Sequence, residues 1–204
     1  MKLFYSQGAC SLAPMIVAQW ADIELETAKV NLADRDASFY EVNPMGAVPA
    51  LILDDSRAFS QVDAILNYLS ALNPTAGLGG SNLLETFELN QWNAFLGGDF
   101  HPAFKGIFGP RKLITDATES EIERITVAAR AAVDRVAVIL DKKIGDSGHV
   151  VLGRRTIADA HAFAMIRWIK NFPDGISTYP HLEKFMQKMK EDAGVQAALA
   201  LERQ

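Results

Sequence analysis

Leu3, Phe4 and Tyr5 form a short bulky run suited to a buried strand, and Leu12, Met15, Ile16 and Trp20 then recur at helical spacing. Gly8 permits a turn between them, so the opening stretch from Lys2 to Ala21 reads as strand, tight turn, helix. Glu24 to Val30 alternates loosely in the manner of a second strand, and the polar Leu32 to Tyr40 holds a short helix or a loop. Asn43-Pro44-Met45-Gly46 is a turn leading into a strand that ends near Leu53. Val48 precedes a proline and is pushed towards extended geometry, while Pro49 cannot donate to a ladder and belongs at a strand start or edge. Asp54 to Arg57 makes a hairpin turn into a short strand at Ala58-Phe59. Ser60 and Asp63 have the spacing of a capping box, and Val62, Ile65, Leu66 and Leu69 follow as a helical stripe that ends by Leu72.

Beyond this point the pattern changes. Asn73-Pro74-Thr75-Ala76-Gly77-Leu78-Gly79-Gly80-Ser81 is the one linker-like stretch, and everything after it has helical period. A helix starting near Asn82 runs through Leu89, Trp92, Phe95 and Leu96, and Pro102 predicts a kink or break near 98–102. Thr118 with Glu121 and Thr156 with Asp159 open further helices as capping pairs. The first of these carries the face Ile122, Ile125, Ala129, Val133, Val136 and Leu140. Tyr179-Pro180 introduces a last helix with Leu182, Phe185, Met186 and Met189 as its buried stripe. The expected organisation is an α/β unit over residues 1–74, a linker over 75–81 and an all-α unit over 82–204. The first unit is too small to be comfortable alone and is expected to pack on the second.

Composition narrows the class without changing this outline. Of 204 residues 49% are hydrophobic, yet no run approaches the roughly 20 apolar residues of a membrane span, and no signal-peptide pattern precedes Leu3. A cytoplasmic location is expected. The net charge of −5 lies entirely in residues 1–74, which carry 4 Lys plus Arg against 9 Asp plus Glu; residues 75–204 carry 16 of each. There is no basic stripe, so nucleic acid is not an expected partner. One cysteine makes no intramolecular disulfide and no cysteine-based zinc site, and no metal is expected.

That cysteine, Cys10, stands between the first strand and the first helix. Ser11 can cap the helix and Pro14 then falls in its first turn, which places the thiol at a helix start, where free N–H groups and the helix dipole favour a thiolate. A lone cysteine is also commonly a small buried hydrophobe, but the turn beyond a strand's C-terminal end is where open α/β sheets place ligands. His101, beside the expected helix break, is on its own residue type either a structural histidine bonded to a carbonyl or a proton-handling group. His149, His161 and His181 are read as structural or surface residues. Thr156 and Asp159 are read as capping alone.

Four ordered segments resemble the soluble glutathione transferase family, its bacterial beta class above all: Met1 to Tyr5 leading to Gly8-Ala9-Cys10-Ser11-Leu12, Val42 to Leu51, Phe100 to Phe104, and Thr156 to Ala160. The resemblance spans essentially the whole chain. It implies a thioredoxin-like N-terminal domain, a helical-bundle C-terminal domain and glutathione, as co-substrate, in the cleft between them, within a homodimer. It implies that the Val48–Pro49 peptide is cis, with Val48 exchanging main-chain hydrogen bonds with the cysteinyl part of glutathione. Gln61 and Val62 fall where the γ-glutamyl group is gripped. Cys10 is implied to meet the glutathione sulfur, with His101 nearby from the helical domain.

Some positions depart from the family pattern. Val62 stands in place of a serine or glycine, Ala94 in place of an asparagine, and Arg155 in place of the aromatic before the Thr156 cap. Lys29, Arg35 and Lys105 are the candidate cations for the glycyl carboxylate. The expected function is conjugation of glutathione to a small hydrophobic electrophile, thiol-disulfide exchange, or both. The competing reading, motivated by Val62 and Ala94, is a transferase fold kept as a binding or regulatory protein with weak or no glutathione affinity.

Overall fold

The structure, a computed structural model, describes residues 1–204. Strand β1 (Lys2–Tyr5) pairs in parallel with β2 (Glu26–Lys29) and antiparallel with β3 (Ala50–Ile52), and β3 pairs antiparallel with β4 (Ala58–Ser60), giving the order β2-β1-β3-β4. Phe4 sits opposite Ala28 on one side and Ala50 on the other. Because successive strand residues face opposite ways, Leu3 and Tyr5 enter the core beneath α1 (Leu12–Trp20) and α3 (Val62–Leu72). Phe4 instead faces α2 (Ala37–Val42), where its ring lies 5.5 Å from that of Phe39.

The helical domain comprises α4 (Leu83–Phe95), a π turn over Leu96–Phe100, α5 (His101–Ala103), α6 (Lys105–Phe108), α7 (Glu119–Ile144), α8 (Ile157–Ile166), α9 (Pro180–Glu191) and α10 (Ala193–Glu202). All ten residues of α8 are buried, as are Leu12 to Ala18 of α1. Both helices are apolar almost all round, the signature of a helix enclosed on every side. α1 packs against α3 within its own domain and against α8 and α10 of the other, so one apolar core of 42 residues runs through both domains. This shared core supplies the burial that a four-stranded unit of this size lacks by itself.

Two capping pairs form as the sequence predicts. Glu121 accepts from Thr118 N at 2.8 Å and Asp159 accepts from Thr156 N at 2.8 Å; Asp159 also takes the amide of Val150 at 2.8 Å. The stripe Leu182, Phe185, Met186 and Met189 is buried on α9. Arg155, in place of an aromatic, lies over the Trp20 ring at 5.0 Å and pairs with Asp192 at 2.8 Å, and so still ties the entry of α8 to α1 and α10.

Three local expectations give way. Ser11 does not cap α1; its hydroxyl accepts from Ser6 N at 3.1 Å and donates to Ser6 O at 3.3 Å, closing the turn around Cys10 instead. Ser60 and Asp63 make no capping box, because Ser60 is held in β4 opposite Ala50 and the helix starts only after Gln61, which takes φ +75°. Pro102 does not force His101 itself out of helical geometry, although the helix is irregular close to where expected. His101 keeps helical φ −59° and ψ −49°, and the irregularity falls one step earlier, where the His101 amide bonds back five residues to Leu96 O in the π turn.

Candidate active site

Cys10 lies in the turn between β1 and α1, and the turn is gripped by the C-terminal helices. Gly8 N donates to Glu202 Oε1 at 3.1 Å and Trp168 Nε1 donates to Gly8 O at 2.8 Å. Arg167 bonds both oxygens of Glu202, at 2.9 and 3.0 Å, and reaches Ala9 O at 3.4 Å. The ion pair is largely enclosed, its side chains 16% and 5% exposed, so it is fixed in geometry and costly to break from one side. None of these three residues was singled out from sequence. Glu202 had a legible signal, since it continues the spacing of Val195 and Ala198 on a helix whose only other polar side chain is Gln196.

The Cys10 thiol is 4% exposed and donates to Val48 O at 3.6 Å. The expected depression of its pKa is not what the structure gives. Burial pushes it up to about 12, and the Cys10 amide, the Arg167 charge and the Ser11 amide lower it by less, while the Asp63 charge raises it further. The helix-start amides are therefore present but outweighed by desolvation. Cys10 nevertheless lines open space: a cleft of about 580 Å³ shared with Arg35, Val48, His101, Phe108 and Trp168, and a neighbouring chamber of about 200 Å³.

His101 lines both spaces, with its ring 5.1 Å from that of Trp168. Burial foremost, then the charges of His161 and Lys105, hold its pKa below the ordinary imidazole value, against a smaller opposing pull from Asp63. The Val48–Pro49 peptide is cis, and Val48, Pro49, Gln61 and Val62 all border the chamber. All six residues singled out from sequence thus border the same two connected spaces. Gln61 is exposed, whereas Val62 is 9% exposed and begins α3. Of the three candidate cations only Arg35 lines the cleft; its Nε donates to Gly46 O at 2.5 Å and it has no carboxylate partner. Lys105 borders an adjoining hollow with His101, and Lys29 borders neither.

Family models match both halves of the chain: glutathione S-transferase, N-terminal domain, over residues 8–72, and glutathione S-transferase, C-terminal domain, over residues 101–192. The chain belongs to the glutathione S-transferase family. It is 35% identical to glutathione S-transferase GST-4.5 of Xanthomonas campestris pv. campestris, over 99% of this chain and 98% of that protein. Among solved structures, a bacterial beta class glutathione S-transferase from Sphingomonas chungbukensis superposes with a TM-score of 0.88 at 35% identity, covering 99% of this chain and 98% of that one. A sphingomonad glutathione S-transferase complexed with glutathione gives a TM-score of 0.87 at 33% identity over the same shares. The thioredoxin-like sheet domain followed by a helical domain is the arrangement of this transferase family.

In this transferase the clamp on the cysteine turn carries a measurable share of stability. Glu202→Ala leaves the Arg167 guanidinium and the Gly8 amide without their partner, and is expected to cost about 3–5 kcal/mol in urea unfolding. A loss below about 1 kcal/mol, the scale of an exposed pair, would show that the clamp does not hold the turn.

Proposed function

We infer that the protein is a glutathione transferase that uses glutathione as co-substrate, with Cys10 and His101 as its reactive pair and a small hydrophobic electrophile as the second substrate. The observation that carries this reading is the placement of the Cys10 thiol on the cleft, beside the main chain of Val48 and across from His101. The residues present fit the tripeptide. Val48 N–H has no partner within the protein, so it is free to pair with a peptide carbonyl. Gln61 offers an exposed amide and Val62 its backbone N–H for the γ-glutamyl end, Pro49 shapes the wall, and Arg35 meets the glycyl carboxylate. Val62 asks only for main-chain bonding, so its branched side chain does not by itself argue for the non-binding alternative.

Two reactions follow from a thiol held next to Cys10. In conjugation, the glutathione thiol gives its proton to the site, the resulting thiolate forms a bond to an electrophilic carbon, and the leaving group departs into the cleft with the carbon's bonding pair. In exchange, the Cys10 thiolate attacks one sulfur of a glutathione disulfide; the Cys10–glutathione S–S bond forms, the original S–S bond breaks, and the released thiolate takes up a proton. His101 accepts the thiol proton and, once protonated, returns it to the released thiolate. Its lowered proton affinity keeps it neutral and ready to accept. Phe108 and Trp168, edge to face with centroids 5.0 Å apart, offer the apolar wall for the electrophile.

The division of the chain at residues 75–81 belongs to this reading; between α3 and α4 there is only a single 3-10 turn, Pro74–Ala76. So does a homodimer, which is supported by Leu83, Leu84 and Phe87 standing 87%, 74% and 68% exposed on the first turns of α4. So does a cytoplasmic location, which suits one free thiol. No helix is long and apolar enough to cross a membrane.

Calorimetric titration with reduced glutathione is expected to saturate at one site per chain, and oxidised glutathione to add one glutathionyl group by intact mass, absent in Cys10→Ser. His101→Ala is expected to lower turnover by about 10²-fold or more. A flat titration with an unmodified thiol would instead select the binding-protein alternative. Light scattering is expected to give twice the 22.3 kDa chain mass, falling to one chain for a Leu84→Glu, Phe87→Glu double variant. A monomeric parent protein would remove the dimer.

A further inference from the structure

Behind Cys10, three helices bring polar side chains into what is otherwise the shared apolar core. His161 on α8 is fully buried, and its Nδ1 stands 3.2 Å from Asp63 Oδ1 on α3, at an angle too bent for a hydrogen bond. Both ring nitrogens of His161, Asp63 Oδ1 and both polar atoms of the Asn93 side chain on α4 are buried without a partner. Each buried polar atom left unpaired is a penalty, and five in one region need a reason. Gly97, one turn beyond Asn93, makes room for the carboxylate: a Cβ there would lie 2.5 Å from Asp63 Oδ2. Asp63, His161 and Cys10 border one chamber of about 200 Å³, which has room for several water molecules at roughly 30 Å³ each.

We propose that the His161–Asp63 pair is a second proton acceptor of this site, taking the thiol proton from Cys10 through the chamber. In the step, the Sγ–H bond of Cys10 breaks, an N–H bond forms on His161 Nε2, and the Nδ1–H of the resulting imidazolium faces the Asp63 carboxylate. No electron is transferred, and the proton returns by the same path when the sulfur gives up its bond.

The electrostatics favour this route. Sending the thiol proton to solvent leaves a desolvated thiolate near the partly exposed Asp63 carboxylate; burial first, and the Asp63 charge after it, make the thiol resist net deprotonation. Keeping the proton on His161 preserves the chamber's total charge and places a cation between two anions. The groups facing the chamber are Asp63 from α3, Cys10 from the turn before α1, His101 from α5 and His161 itself. Arg167, already paired with Glu202, and Lys105 act on them only through their charge. A proton on His161 disfavours one on His101, so the chamber holds one and leaves His101 neutral towards the cleft.

The proposal rests on Cys10 being the reactive thiol, but its test needs no glutathione and so stands or falls separately from the transferase reading. The rate of Cys10 alkylation by iodoacetamide, followed by intact mass from pH 5 to 10, is expected to rise to a plateau by neutral pH in the parent protein. In His161→Phe the plateau is expected to vanish, the rate falling at least 10-fold at pH 7.5 and then climbing about tenfold per pH unit. Asp63→Asn is expected to fall between the two. A plateau unchanged in His161→Phe, or a rate lowered by one factor at every pH, would overturn the proposal. Should His161→Phe not fold, nitrogen NMR of the imidazole rings in the parent protein decides. The His161 ring is expected to lose its second proton only when Cys10 is alkylated or the pH is strongly raised. A ring neutral throughout pH 5 to 10 would refute the assignment.

Discussion

The whole site depends on a largely buried ion pair at the edge of the cleft. Arg167 and Glu202 close over the turn from Gly8 to Cys10 and hold its amide and carbonyl groups, while Trp168 takes the remaining carbonyl of Gly8. The turn's own bonds, Ala9 N to Ser6 O and the Ser6–Ser11 pair, are thereby reinforced by the segment that follows α8 and by α10, far away in sequence. The enclosed charges are neutralised in pairs and their donors are satisfied by main chain, which is the condition under which burying ions is tolerable. Since α1 also packs on α8 and α10, the sheet domain and the helical domain are packed together around the turn that presents the Cys10 sulfur.

Burial is the second constraint, and it works against chemistry. The sulfur needs a water-poor environment to be precise in position, but that same environment penalises the thiolate more than the helix-start amides favour it. A thiol buried in this way can act as the proposed nucleophile only if its proton has somewhere to go without leaving a net charge behind. The structure supplies two imidazoles bordering the same chamber, one facing the cleft and one facing the core. The cleft side also carries the aromatic wall of Phe108 and Trp168 and the unpaired Arg35, so polar and apolar parts of a ligand meet different walls.

Much of this was legible in the chain, where the determinants are local. The strand, turn and helix of residues 2–21, the Thr118 and Thr156 caps and the stripe of α9 are each set by spacings of three or four residues, and each forms as read. Where two local preferences competed, sequence chose wrongly. Ser11 had a turn to close as well as a helix to cap, Ser60 was claimed by a β ladder, and Pro102 was accommodated by a π turn rather than a break. The helix dipole at Cys10 was read correctly as present but not weighed against desolvation, which depends on what α8 and α10 cover. Glu202, Arg167 and the Asp63–His161 pair act across separations of 35 to 194 residues, and nothing in their local sequence ties them together.

On the proposed reading a tripeptide thiol sits beside Cys10, where the clamped turn and the free main chain of Val48 converge. A crystal structure of the protein with glutathione measures this directly. The account predicts the cysteinyl main chain paired with Val48, the glycyl carboxylate at Arg35 and the two sulfurs in contact. Glutathione lying elsewhere in the cleft, with its sulfur turned away from Cys10 and Val48 unengaged, would contradict it.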